Sequence, residues 1–259
     1  MKALLGILGV IILGVLVWYA VGSYQKTPTL PMQDTNASST VQVIPVEHAS
    51  LALRFGSITV YADPVGDASL YAALPRPDII FVTHEHGDHF STSTLQALVG
   101  SSTLLVTNQR VADMLPQNLK ANLVVMKNGD TETLGPLSVT AIPAYNIRPE
   151  ALQFHPQGRD NGYVIEAVGT RVYIAGDTEG TPEMKALQNI DIAFVPMNLP
   201  YTMSVEDAAA AVLAFKPKQV YPYHYRGTSG LSDVNRFKDL VAAGDPTIQV
   251  VLVNWYPNQ

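Results

Sequence analysis

The sequence predicts an α/β fold in which two β-sheets lie face to face with helices outside them, preceded by one membrane-spanning helix. Three observations carry this reading. Short apolar runs of strand length alternate with amphipathic helical stretches through both halves of the chain. A stretch near the amino terminus, "ALLGILGVIILGVLVWYAVG", holds no charged residue. Finally, the residues best suited to chemistry stand at the ends of strand runs, where loops can gather them.

The first element is the apolar stretch from Ala3 to Gly22. It is about the 20 residues a helix needs to cross a bilayer, and Trp18 and Tyr19 stand near one end as interface anchors. The alternative is a cleaved signal peptide, with small residues at Ala20 and Gly22, but a signal's apolar core is only about 7 to 15 residues long. An anchor is therefore the first expectation. Either reading exports the rest of the chain, and secretion replaces anchoring if the segment is cleaved. Residues 1–24 are assigned to the anchor or signal, residues 25–41, rich in Ser, Thr and Pro, to a linker, and residues 42–259 to the functional domain.

Within that domain the strand runs are "VQVIPV", "LALRFG", "ITVYAD", "DIIFVTH", "TLLVT", "LVVM", "LSVTAIPAY", "GYVIEAV", "RVYIAGD", "IDIAFVPM", "QVYPYH" and "IQVVLVNW". Helical patterns read "STSTLQALVG", "VADMLPQNL", "TPEMKALQ", "SVEDAAAAVLAF" and "DVNRFKDLVAAG". In the fourth, Ser204 is placed to cap the helix, with Asp207 three residues later in an acidic version of the capping box.

Composition narrows the function classes. A net charge of −6 offers no basic footprint for nucleic acid, so none is expected as a partner. The chain has no cysteine, which excludes disulfides and thiolate ligands, so any metal must be held by imidazole, carboxylate and water.

The densest chemistry is "HEHGDH", His84 to His89, where three of the six histidines of the chain stand with two carboxylates directly behind the apolar run Ile79 to Val82. The helical zinc-protease pattern does not fit. It needs a second histidine four residues after the first, a position held here by Asp88, and Gly87 interrupts any helix. A loop leaving a buried strand can instead aim His84 and His86 at one metal and Asp88 and His89 at a second. Taken alone, Asp177 also fits a turn, His224 a packed core and Asp63, before Pro64, a turn start.

This cluster resembles the H-x-H-x-D-H signature of the metallo-β-lactamase superfamily, and other segments resemble it in order. "YADP" at Asp63 is similar to the early aspartate that orients a ligand, "AGDT" at Asp177 to the aspartate that bridges two metals, and "YPYHY" at His224 to the late histidine on the second metal. "HAS" at His48, "PAYN" at Tyr145, "FHPQG" at His155 and "MNLPYTM" after Asn198 further resemble the branch that includes L-ascorbate-6-phosphate lactonase. The resemblance covers nearly all of residues 42–257 and implies a four-layered αββα sandwich of the metallo-β-lactamase type.

It also implies a metal-dependent hydrolase acting on a small-molecule substrate: an ester, lactone or phosphoester. The implied cofactor is a pair of divalent metal ions, zinc first, with manganese or iron also compatible with these donors. The implied ligands are His84, His86, Asp88, His89, Asp177 and His224. Many superfamily members carry a further histidine where "IPAYN" stands here, and His155 is expected to reach back into that role. A mononuclear or non-catalytic metal-binding domain on the same fold is the alternative. Such a pair of cations would supply a water of lowered pKa as the nucleophile, with Asp88 expected beside it to take a proton. Asp63 and His48 are expected behind the ligands. Tyr145, Tyr201, Tyr223 and Arg226 are candidates for holding substrate, Arg226 through its fork of donors.

Overall fold

A computed structural model describes residues 41–257. The expected membrane-spanning helix at Ala3 to Gly22 lies outside them; among the described residues no helix is long and apolar enough to cross a membrane. Val41, the first residue of the run "VQVIPV", opens the first strand.

Six strands form the first sheet: β1 (Val41–Glu47), β2 (Ser50–Phe55), β3 (Ile58–Ala62), β4 (Ile79–Val82), β5 (Leu104–Thr107) and β6 (Leu123–Val125), in sequential order. The first three pair antiparallel, and β3 to β6 run parallel. Two crossovers carry helices: α1 (Thr92–Leu98) joins β4 to β5, and α2 (Gln109–Met114) leads from β5 toward β6. Each starts on a side-chain cap, Ser91 for α1 and Asn108 for α2.

The second sheet contains β7 (Thr131–Leu134), β8 (Leu137–Ala144), β9 (Asp160–Ala167), β10 (Thr170–Ile174), β11 (Ile192–Pro196) and β12 (Gln219–Tyr223). A small hairpin, β13 (Arg226–Gly227) with β14 (Gly230–Leu231), comes after β12, and β15 (Gln249–Val250) closes the second sheet beside β12. Strands β7 to β10 are antiparallel, whereas β10, β11, β12 and β15 are parallel. The helices of this half are α3 (Pro182–Lys185), α4 (Val205–Phe215) and α5 (Val234–Gly244). Ser204 caps α4 as expected, accepting the Asp207 N–H at 3.0 Å.

The alternation of side chains along each strand builds the layers. In β4, Ile79 and Phe81 face the core shared with the second sheet, while Ile80 and Val82 face Leu95 of α1 and Val111 of α2. From the other side, Tyr163, Ile165, Val172 and Phe194 complete the core between the sheets. Beyond the second sheet, Phe215 of α4 meets Tyr173 edge-on, with ring centroids 6.0 Å apart. The order is helix, sheet, sheet, helix.

The long run "IQVVLVNW" departs from expectation. Only Gln249 and Val250 form strand β15, after which the chain leaves the sheet and buries Trp255 and Tyr256 beside His48.

Candidate metal centre

Parallel strands all end on the same edge of their sheet, and ligands gather outside those carboxyl ends. Asp63 follows β3, the His84 to His89 loop follows β4, Asp177 follows β10 and His224 follows β12. Strands that run antiparallel to these begin at the same edge, which places His48 just before β2 and His155 before β9. All six histidines of the chain therefore meet at one place.

Three groups of donors lie close enough to share an ion: His84, His86 and His155; His48, Asp88 and His224; and His84, His89 and Asp177. Asp177 joins them. Its Oδ2 is 3.3 Å from His155 Nε2, and its Oδ1 is 3.3 Å from both His89 Nε2 and His224 Nε2. Asp88 Oδ2 stands 3.3 Å from His224 Nε2 and 3.2 Å from His48 Nε2. The rings crowd one another, with centroids 4.1 Å apart for His84 and His89, 4.8 Å for His86 and His155, and 4.0 Å for His48 and His224.

Backbone conformation aims these side chains. His48, Asp63 and His224 all adopt left-handed φ values, 54°, 46° and 46°, which residues other than glycine rarely tolerate without a surrounding structure that enforces them. Gly176 lets the Asp177 segment close on the first sheet: at φ 65°, an added Cβ would lie 3.0 Å from the Thr83 Cβ.

A further layer of contacts orients the rings. Asp63 is fully buried; its Oδ2 meets His89 Nδ1 at 2.7 Å, and the same carboxylate accepts the backbone N–H and the hydroxyl of Thr83, each at 2.7 Å. Thr83 Oγ1 in turn lies 3.0 Å from His84 Nδ1, so one aspartate sets two histidines. On the far side, Asp160 Oδ2 is 3.4 Å from His155 Nδ1, and the Arg159 guanidinium holds Asp160 through Nε and Nη2 at 2.7 and 2.8 Å. Arg159 also reaches Glu85 at 3.0 Å, tying the His84 loop to the His155 loop.

The electrostatics suit a cation. Burial alone would raise the Asp177 carboxyl, but the charges of His224 and His89 and a hydrogen bond from His155 hold it well below the usual carboxylate range. Burial likewise lowers His155, yet Asp160 and Asp177 outweigh it and lift the imidazole to about 9. His89 stands well above its usual value because Asp177 and Asp63 outweigh its burial. Conversely, burial, reinforced by neighbouring imidazoles, keeps His84 well below the ordinary range and lowers His86. The site thus recruits protons to balance a buried carboxylate, a charge that metal ions would balance instead.

The residues fit such ions on a geometric test as well. His89 Nε2, His155 Nδ1, both ring nitrogens of His224 and Asp177 Oδ1 are buried without a hydrogen-bond partner, although donors and carboxylate oxygens stand 3.3 Å apart around them. Unpaired buried polar atoms are costly, and here three of these atoms, His89 Nε2, His224 Nε2 and Asp177 Oδ1, point into one space.

Two expected substrate contacts are placed elsewhere. Tyr223 is fully buried, and its hydroxyl accepts the Gly176 N–H at 2.9 Å, so it supports the Asp177 turn instead of meeting substrate. The Tyr145 hydroxyl donates to Glu183 of α3 at 2.9 Å. Tyr201 is half-buried and packs edge-on against Phe154, with centroids 5.0 Å apart, while the Arg226 guanidinium lies 4.2 Å above the Tyr256 ring. His48, expected behind the ligands, instead presents Nε2 to Asp88 among the donors. Thr83, Asp160, Arg159 and Tyr256 do not stand out in the sequence. Only Asp160 carries a signal there, as a carboxylate shortly after His155 at the start of a strand run.

Fold and site together define a class: residues 42–224 match the family described as Beta-lactamase superfamily domain, and the chain belongs to the metallo-β-lactamase superfamily. Within it, the chain belongs to the UPF0173 family of metal-dependent hydrolases. A UPF0173 metal-dependent hydrolase from Thermococcus onnurineus is 30% identical over 215 residues, covering 79% of this chain and 93% of the relative. A Methylobacterium nodulans relative of the same name is 34% identical, over 69% of this chain and 82% of its own. The crystal structure of a candidate metal-dependent hydrolase from Parabacteroides distasonis superposes with a TM-score of 0.74 at 41% identity, over 82% of this chain and 92% of that one.

Proposed function

We propose that this metal-dependent hydrolase works with two divalent cations on a small ester, lactone or phosphoester. The observation that carries the reading is the sharing of Asp177 between donor groups, one carboxylate oxygen turned to each side. His84, His86 and His155 would hold one cation; Asp88, His89 and His224 would hold the other, with Asp177 between them. Such a pair, when bound, supplies Lewis acidity and a water of lowered pKa.

The remaining work belongs to the chain. Asp63, through His89 Nδ1 and Thr83, keeps two rings in the tautomer that leaves Nε2 bare. Asp88, half of whose side chain is open to solvent, is the site carboxylate placed to accept a proton from a water on the substrate side. Arg226 and Tyr201 remain the candidate contacts for an anionic or polar substrate group. The "HAS", "PAYN", "FHPQG" and "MNLPYTM" segments favour a phosphorylated lactone of the L-ascorbate-6-phosphate kind within the substrate class. Zinc suits the imidazole-rich donor set, and manganese and iron are compatible with it. The uncharged stretch Ala3 to Gly22 supports anchoring to a membrane with the catalytic domain on the extracytoplasmic side.

The test is a panel of lactones, carboxylate esters, phosphomonoesters and phosphodiesters offered to metal-loaded and exhaustively chelated protein. Hydrolysis that disappears on chelation and returns with added metal supports the reading. Hydrolysis indifferent to chelation overturns it, and bound metal without turnover anywhere on the panel supports the non-catalytic alternative.

A further inference from the structure

We propose that His48 is itself a ligand of the cation held by Asp88 and His224, and that Tyr256, near the carboxyl terminus, is the positioning residue that fixes its ring. The inference rests on the two-cation reading and adds to it a donor and an outer contact.

Three independent observations support it. First, His48 Nε2 lies among donor atoms: it is 3.2 Å from Asp88 Oδ2, and its ring centroid is 4.0 Å from that of His224. Second, His48 and His224 are built alike. Both take left-handed φ values where a strand meets the site, and the His224 N–H donates to the His48 carbonyl at 3.2 Å, so the two strained residues brace each other across the sheets. In His48 that φ belongs to the two-residue turn joining β1 to β2, and the turn sets the ring at the site.

Third, the opposite side of the His48 ring has a dedicated partner. Tyr256 Oη is 2.9 Å from His48 Nδ1, and the His48 backbone N–H donates to the Trp255 carbonyl at 2.9 Å. With the phenol oxygen accepting from Nδ1–H, Nε2 keeps its lone pair for a metal. Trp255 is fully buried and Tyr256 nearly so, and the Arg226 guanidinium lies over the Tyr256 ring. This accounts for the chain leaving the sheet after β15. The last described turn serves the site.

The two other orienting contacts are carboxylates, Asp63 behind His89 and Asp160 behind His155. A neutral phenol makes its histidine a weaker donor than a carboxylate does, so His48 is a weaker donor than the carboxylate-backed His89 on the same cation.

The test is metal titration of the full-length protein with Zn²⁺ and Co²⁺, read by bound stoichiometry, by chelator competition and by the visible spectrum of the cobalt form. It compares wild type, His48→Ala, Tyr256→Phe and the double variant, with circular dichroism to confirm folding. The expected result is two ions in wild type and weaker binding of one of them in His48→Ala, with an altered cobalt spectrum. Tyr256→Phe should keep both ions but bind the one at His48 about 10 to 100-fold less tightly. In the His48→Ala background the Tyr256→Phe change should have no further effect, because the tyrosine acts through that histidine. Two ions with unchanged affinities and an unchanged cobalt spectrum in folded His48→Ala would overturn the proposal. So would a Tyr256→Phe effect that persists without His48. Wild type that binds no divalent cation would instead overturn the two-cation reading on which the proposal stands.

Discussion

His155 and His48 present the same atom, Nε2, to opposite sides of one centre, yet their surroundings differ. His155 and His84 are buried beside a half-buried His86, and a carboxylate held by Arg159 stands behind His155. His48 is partly open, sits beside the solvent-facing Asp88, and is backed by a phenol. On the two-cation proposal the closed side would hold its ion away from solvent, and the open side would be where solvent and substrate reach the second. Placement in the chain explains the contrast. The closed group comes from the loops after β4 and before β9, whereas the open group lies where the turn before β2 meets Tyr256.

The change that should erase the contrast most completely is Asp177→Asn, because that carboxylate serves both sides. Loss of its charge should reduce metal-dependent hydrolysis by about a thousandfold, the equivalent of several kcal/mol of transition-state stabilisation, and steady-state kinetics with stoichiometry measured in parallel would check it. A variant within tenfold of wild type would mean that the two sides do not share a bridge.

Asp63→Asn should come next. It disturbs His89 directly and His84 through Thr83, so chelator competition should show metal affinity down by about 10 to 100-fold while the protein stays folded. Unchanged affinity would show that the Asp63 network serves folding alone.

Acidity probes both sides more gently. Metal must displace protons, so affinity should fall on both sides as pH falls, because in the metal-free protein His155 is lifted to about 9 and His89 stands well above its usual value. The sign for stability is opposite. A raised histidine pKa stabilises the metal-free fold fully below the ordinary 6.5 and ceases to do so as pH rises through about 9. Metal-free protein should therefore lose thermal stability between those values, and metal-loaded protein should not; melting curves across that window would detect equal slopes if the account were wrong.

The smallest effect belongs to Tyr145→Phe. Its hydroxyl bonds Glu183, so removal should cost about 0.5 to 1.5 kcal/mol of stability and leave metal content unchanged. A tenfold fall in kcat/KM would return Tyr145 to the substrate-binding residues.

Much of the fold and the site is legible from residue order. The histidine loop stands out by density, and Asp63, Asp177 and His224 stand out because each follows an apolar strand run, a position that parallel topology turns into shared space. Tyr223 misleads because a tyrosine beside a histidine looks alike in sequence whether it faces the core or the cleft; only the sheet register turns it inward to Gly176. The β15 run looks like a full strand because apolar residues continue past it, although they serve burial of Trp255 and Tyr256 instead of pairing. Tyr256 gives no signal at all. It meets His48 across nearly the whole described chain, and no local pattern encodes a contact of that separation. Asp160 and Thr83 are hidden for a related reason, since residues that orient ligands need only a carboxylate or hydroxyl in the right place.

The central claim is that two cations occupy two unlike halves of one centre joined by Asp177. The most direct test is metal content by mass spectrometry on purified wild type beside His155→Ala. The account predicts about two ions per chain in wild type and about one in the variant, the survivor lying on the open side. About one ion in both proteins would contradict it, placing the only cation away from His155.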